Sequence, residues 1–246
     1  MQTILYTNDI SSALRSLIGE MAPSSVHIVT DANVRDKVLP ALSLSYPVIV
    51  TEPGDVAKNL STLSRIWSGL IAGGATRKSV VINIGGGVVT DMGGFAAATF
   101  KRGVRFINVP TTLLSAVDAA VGGKTGINFE GLKNEIGAFA PADAVVISTS
   151  TFSSLPKEEM LSGYAEMLKH GLLSSEEDYH ELLDFDIADA DMDRLLPLLE
   201  KSVRVKERIV NEDPREKGIR RALNLGHTIG HAFESLAMER GCPVPH

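Results

Sequence analysis

The chain has 246 residues, 44% of them apolar, and a formal net charge of −6. That length fills one large domain or two modest ones, and the acidic balance argues against a general nucleic-acid or membrane-surface binder, since either needs a basic face. A single cysteine, Cys242, leaves no internal disulfide and points to a reducing compartment. No basic n-region precedes a long apolar core at the N-terminus, and no run reaches the roughly 20 apolar residues of a membrane span. A soluble, cytoplasmic protein is expected.

Residues 26–30, 48–51, 80–84, 106–109 and 144–147 are short runs rich in Val and Ile, and each of the first four precedes a segment able to form a helix, the second at 56–72. Continuous apolar strands alternating with helices predict a doubly wound parallel sheet. Past residue 150 the pattern becomes helical: Pro156 opens a segment through Leu173, with Glu158 and Glu159 in its first turn, and further helices are expected near 193–210 and 224–240. The expected fold is a Rossmann-like α/β domain over residues 1–150 followed by an all-α domain over 151–246.

Strand 80–84 runs into Gly85-Gly86-Gly87, where backbone N–H groups and a helix N-terminus can receive a pyrophosphate; the alternative is a tight βα turn. Asp91, inside the following helix, needs a polar partner and suits a nicotinamide ribose or amide. Asp31 and Asn33, at the end of the first of these strands, suit ribose or adenine, or Asp31 simply caps a helix. A second glycine turn, 121–126, carries Lys124, with Asp118 upstream and Lys133-Asn134 downstream. A lysine among glycines is a candidate anion site because the ligand can come close. Glu166 and Lys169 stand at i and i+3, either as a surface ion pair or as a metal-ligating carboxylate beside an anion-binding cation. His227 and His231, at i and i+4 behind glycines, lie on one helix face with the spacing that converges on a metal or a shared substrate.

The segments GGGVVTDMGGFAAATFKRG (85–103), NVPTTLLSAVDAAVGGKTGIN (108–128), LKNEIGAF (132–139), SGYAEMLKHG (162–171), NLGHTIGHAFE (224–234) and PVPH (243–246) together resemble the 3-dehydroquinate synthase family of the sugar-phosphate cyclases. The resemblance implies a catalytic NAD, one divalent metal (normally Zn2+, with Co2+ an alternative), and 3-deoxy-D-arabino-heptulosonate 7-phosphate as substrate. The implied reaction is oxidation, loss of phosphate, re-reduction and an intramolecular aldol closure. Family metal ligands fall on Glu166, His227 and His246, which makes His231 a substrate-contacting or proton-handling residue. Substrate contacts fall on Asp118, Lys124, Asn134, Lys169, Lys206, Arg220, Asn224 and His231. Arg102 matches an arginine that reaches a neighbouring subunit's site, implying a homodimer. NAD contacts fall on Asp31, Asn33, Asp55, Lys58, Gly86, Gly87, Val88, Asp91, Thr111, Thr112, Lys133, Ser154, Leu155 and Glu159. Asp55 and Ser154 replace the usual Glu and Thr and keep their chemistry, while Gly131-Leu132-Lys133 inverts the usual Leu-Gly-Lys order. The family pattern continues past His246, so the sequence reads as a portion of a longer enzyme. The rivals are another cyclase, such as one making 2-deoxy-scyllo-inosose, against which Arg220 speaks as a carboxylate partner, and an inactive NAD- and metal-binding fragment.

Overall fold

The computed structural model describes residues 2–240. In chain order the elements are β1 (Thr3–Tyr6), α1 (Ile10–Met21), β2 (Val26–Asp31), α2 (Ala32–Lys37), α3 (Leu39–Leu42), β3 (Val48–Thr51), α4 (Leu60–Ala72), β4 (Val80–Gly85), α5 (Gly87–Thr99), β5 (Arg105–Pro110), β6 (Lys124–Phe129), β7 (Leu132–Phe139), β8 (Ala144–Ile147), α6 (Lys157–Leu172), α7 (Glu176–Leu183), α8 (Met192–Glu212) and α9 (His227–Glu239). Six strands form a parallel sheet in the order β1-β8-β5-β4-β2-β3. Strands β2, β4 and β8 are buried along their whole length, because helices cover both faces and every side chain needs apolar company.

One face packs Ile28, Ile82, Ile84, Ile107 and Val146 against α1, α2 and α3. The other packs Val29, Val81, Val145 and Ile147 against α4 and α5, and this core continues without a break into Met160, Tyr164, Met167, Leu195, Leu199 and Val203 of the helical part. On α6, Met160, Gly163, Tyr164 and Met167 recur at helical spacing and form the inward face. Gly163 lets that face cross residues 113–114 at backbone contact: a Cβ there would stand 2.4 Å from Leu114 N.

The order of strands places β3 and β4 on opposite sides of β2, so the chain's direction of travel reverses between β2 and β4. The crevice outside the carboxyl ends of those strands is where doubly wound sheets bind ligands. Helix α5 is drawn onto the sheet through Gly93, whose hypothetical Cβ would fall 2.0 Å from Asn83 Oδ1. Asn83 Nδ2 in turn donates to Asn108 Oδ1 at 2.9 Å, and Asn108 Nδ2 to Ala120 O at 3.4 Å, tying the sheet centre to the one-turn segment Ser115–Ala119.

Several expectations need correction. The helix expected from residue 56 begins at Leu60, capped by Asn59, after a short 3-10 turn at Asp55–Ala57. The last helix starts at His227, and Asn224 instead ends a 3-10 turn over Ile219–Asn224. Strand β1, helix α7 and the β6–β7 hairpin were not anticipated. The hairpin closes through Glu130 and Gly131, at φ 49° and 82°, with Phe129 opposite Leu132. Both central residues at positive φ match the twist of the strands, and glycine at the second removes most of the strain. That turn is where the inverted Gly131-Leu132-Lys133 order falls. Among the described residues no helix is long and apolar enough to cross a membrane.

Candidate active site

The cofactor side is built first by the chain. Gly86 precedes α5 with no side-chain cap, so the N–H groups of the helix's first turn face the crevice without a protein acceptor at the cap. A Cβ on Gly86 would stand 3.1 Å from Thr112 Cγ2, and one on Gly87 3.3 Å from Ala119 Cβ, so the cradle has space for backbone and ligand but not for side chains. That shape and polarity fit a dinucleotide pyrophosphate. Val88, Thr111 and Thr112 flank it, with Thr111 N donating to Gly85 O at 3.0 Å. Asp31 ends β2 and accepts from Val34 N at 3.0 Å, so the capping alternative is the contact observed, with Asn33 exposed beside it. Asp55 sits beyond β3, Ser154 and Leu155 in the turn before α6, and Glu159 in the first turn of α6. Lys133 reaches from β7 toward Asp55 at 3.6 Å and Glu234 at 3.8 Å.

Lys58 links Asp91, expected at the cofactor, to Asn134, expected at the substrate. Its Nζ donates to Asp91 Oδ2 at 2.6 Å and also to Asn134 Oδ1, so the polar partner that Asp91 requires is a buried lysine. Burial pushes the Asp91 carboxyl up, while Lys58 pulls against it.

Deeper in, Asp118 accepts from Lys206 Nζ on α8 through both its side chain and its backbone oxygen. Burial raises the Asp118 carboxyl, but the ammonium against it prevails and holds the carboxyl well below the usual range. Asp118 lies within electrostatic reach of Asp91 on one side and of Lys169 and His170 on the other. Lys169 donates to Glu166 and to Leu223 O, and the two side chains are only 8% and 10% exposed. The surface ion-pair alternative is thereby excluded: this is a buried pair that bolts α6 to the turn leading into His227.

Glu166 offers a buried carboxylate oxygen and His227 an imidazole nitrogen, the donor types that a borderline-soft divalent cation such as zinc takes. The third expected ligand, His246, lies outside the described residues, and so does the side chain of His231. Among the described residues no group of three ligating side chains is assembled.

Arg220, 3% exposed, donates to Pro214 O at 2.8 Å and Gly122 O at 3.2 Å, with its guanidinium 6.0 Å from the Phe139 ring. A Cβ on Gly122 would touch both Arg220 Nη2 at 3.2 Å and Lys206 Cε at 3.5 Å, so Gly122 lets these two cations stand together. Lys124, at the start of β6, and Asn224 both donate to Glu216, Asn224 at 2.7 Å. Arg102 is not brought to this cluster. It is exposed at the far end of α5, about 20 Å of helix from Gly87 at 1.5 Å per residue.

Three features escaped sequence reasoning. Glu216 occupies two expected substrate contacts. Asp213 accepts backbone N–H groups from Lys217 at 2.9 Å, Gly218 at 2.6 Å and Arg220 at 3.2 Å, which shapes the loop carrying Arg220; the Asp-Pro pair followed by Gly218 is the signal that could have marked it. His170 is fully buried, and burial, reinforced by Lys206, lowers its ring to about 3, so it is neutral.

Residues 48–162 match the family model for the 3-dehydroquinate synthase N-terminal region and residues 163–246 that for its C-terminal region. A 3-dehydroquinate synthase of Parabacteroides distasonis is 49% identical over 250 residues, covering 100% of this chain and 71% of the relative. One from Pyrococcus abyssi is 43% identical over 242 residues, covering 96% and 71%, and one from Streptococcus pyogenes 41% over 238 residues, covering 95% and 66%. The chain thus spans between 66% and 71% of these relatives' lengths. Among solved structures, a 2-deoxy-scyllo-inosose synthase complexed with carbaglucose-6-phosphate, NAD+ and Co2+ superposes with a TM-score of 0.86 at 26% identity, covering 95% of this chain and 67% of that one. A 2-epi-5-epi-valiolone synthase from Streptomyces hygroscopicus with NAD+ and Zn2+ gives 0.79 at 25%, covering 96% and 69%. On the two family models and the 49% identity along its whole length, the chain belongs to the 3-dehydroquinate synthase family.

Proposed function

We propose that the protein containing this chain converts 3-deoxy-D-arabino-heptulosonate 7-phosphate to 3-dehydroquinate and phosphate, a carbon–oxygen lyase reaction dependent on NAD and a divalent metal. The observation that carries the reading is a row of three ion pairs, Lys58–Asp91, Lys206–Asp118 and Lys169–Glu166, within electrostatic reach of one another, with Asn134 on the first. When bound, NAD supplies a hydride acceptor that returns the hydride later, and the metal lowers the pKa of coordinated hydroxyls.

The chain's own residues do the rest. The cradle at Gly86, Gly87 and Val88 receives the pyrophosphate, with Asp31, Asn33, Asp55, Lys58, Asp91, Thr111, Thr112, Lys133, Ser154, Leu155 and Glu159 around the dinucleotide. Glu166, His227 and His246 would hold the metal. Lys124, Lys169, Lys206 and Asn134 anchor the phosphate, where clustered ammoniums stabilise charge as it leaves. Arg220 and Asn224 address the carboxylate: two Arg220 donors are committed to backbone carbonyls, leaving others for a ligand. Asp118 orients Lys206, and His231 handles a proton. Binding one flexible substrate at several anchored points limits side reactions. Arg102, remote from its own site, is consistent with a homodimer in which it serves the partner, and a cytoplasmic location suits a biosynthetic enzyme of this family.

A second reading, a 2-deoxy-scyllo-inosose synthase, is favoured by the TM-score of 0.86, but its 26% identity falls well short of 49%. A phosphate-release assay on the full-length protein separates the two. Heptulosonate phosphate should be turned over and glucose 6-phosphate, which lacks a carboxylate, should not, and Arg220→Lys should weaken the former because lysine has no planar fork. Preferential release from glucose 6-phosphate would reverse the assignment.

A further inference from the structure

His170 follows Lys169 on α6, and its side chain is 0% exposed. Its Nδ1 lies 2.8 Å from Ser202 Oγ on α8. Its Nε2 has no hydrogen-bond partner and stands 3.7 Å from Glu166 Oε1, one helical turn back. An orphaned nitrogen at the centre of a packed interface is costly, so its direction calls for a physical reason.

A ring desolvated this completely carries one proton, which leaves two tautomers. With the proton on Nδ1, a lone pair on Nε2 would face a carboxylate oxygen, which is repulsive. With it on Nε2, the Ser202 hydroxyl donates to Nδ1 and an N–H faces Glu166. The groups around the ring (Lys206 from α8, Asp118 from the Ser115–Ala119 segment, Lys169 from α6) include no other acceptor closer to Nε2. Lys169 also binds Oε1, and no hydrogen bond to Oε2 is found among the described residues. Lys169 thus donates to one carboxylate oxygen, and the imidazole edge faces the same oxygen at 3.7 Å without a hydrogen bond in this structure. The other oxygen is left for a cation.

We propose that His170 is a positioning residue: Ser202 fixes its tautomer so that Nε2–H orients the Glu166 carboxylate for metal binding. The inference rests on the reading of Glu166 as a metal ligand. Outer groups of this kind fix a ligand's orientation and modulate its affinity.

The test measures Co2+ and Zn2+ affinity by competition with a chromophoric chelator, together with the Co2+ absorption spectrum, on the full-length protein. His170→Phe keeps ring volume and removes the donor. It should fold with a wild-type circular dichroism spectrum, bind metal roughly 10–100-fold more weakly, and shift the Co2+ bands. His170→Gln, whose amide N–H reaches the ε position, should bind more tightly than His170→Phe. Wild-type affinity with an unshifted spectrum in folded His170→Phe overturns the proposal. If His170→Phe fails to fold, Ser202→Ala decides: freeing the tautomer should weaken metal binding, and unchanged affinity overturns the proposal. Glu166→Ala separates the two levels. If it loses the metal while His170→Phe keeps it, the inference alone falls; if it keeps full affinity, the metal-site reading falls and takes the inference with it.

Discussion

Gly163→Ala probes the crossing that sets the geometry of the site. The new Cβ would stand 2.4 Å from Leu114 N, 2.6 Å from Leu113 Cβ and 2.7 Å from Leu113 C. Two of these are backbone atoms, so no rotamer change relieves the clash. Ordinary contact is about 3.5–4.0 Å, so α6 must retreat from residues 113–114 by about 1 Å. Overpacking of this kind costs about 1–3 kcal/mol, and the helix propensity of alanine returns up to about 1 kcal/mol. With the full return the net loss is at most about 2 kcal/mol, which lowers the melting temperature by up to roughly 8 °C for a chain of this size. The effect on turnover should be larger than that on stability. Glu166 and Lys169 ride on α6, whereas Asp118, which binds Lys206 of α8, follows directly on the residues 113–114 that α6 moves away from. Misplacement by 1 Å costs about 10²-fold in rate. Calorimetric melting and steady-state phosphate release on the same preparation test this. A variant with wild-type melting temperature and wild-type turnover would refute the close crossing and the coupling drawn from it.

Three further outcomes are expected. Gly86→Val should abolish NAD binding in isothermal calorimetry without unfolding the protein, because its Cβ already meets Thr112 and its branch fills the cradle; unchanged affinity would remove the pyrophosphate from this turn. Glu216→Gln should tighten binding of inorganic phosphate by up to about fivefold, the equivalent of an exposed ion pair of about 1 kcal/mol, by releasing Lys124 from a competing carboxylate; weaker binding would make Glu216 a contributor instead of a competitor. Asp213 is held below its ordinary 3.8 by backbone N–H bonds from Lys217, then Gly218, so the order it gives to its loop is complete above that value and lost as pH falls below it. Protection of the Lys217, Gly218 and Arg220 amides, taken relative to their intrinsic exchange at each pH, should fall below a pH of about 4 in the wild type, and Asp213→Asn should show low protection throughout that range; pH-independent protection in the wild type would refute the role.

Strands β2, β4, β5 and β8 were legible because burial on both faces leaves no polar alternation: β8 falls where its Val and Ile run stands, and β2, β4 and β5 differ by a residue at their ends. The edge strand β3, exposed at Val48 and Val50, matches its run through β-branched composition alone. The β6–β7 hairpin was not legible for the opposite reason. Its second strand is exposed at six consecutive positions, with Leu132 and Phe139 open, so no burial pattern marks it, and the turn signal is only Glu130-Gly131. At the site, spacing identified Glu166 and Lys169 as partners, but only the fold shows them buried and linked to Leu223. Glu216 and Lys124 are 92 positions apart, and Ser202 and His170 are 32 apart; no local pattern announces such pairs, because packing between α6, α8 and the loop before α9 creates them.

The central claim is that one site uses NAD catalytically while phosphate leaves. Full-length protein supplied with Zn2+, substoichiometric NAD and 3-deoxy-D-arabino-heptulosonate 7-phosphate should release phosphate far in excess of NAD, form 3-dehydroquinate detectable by NMR, and accumulate no NADH. NADH accumulating in step with substrate consumed, without phosphate release, would contradict the account and make the protein a dehydrogenase on this fold.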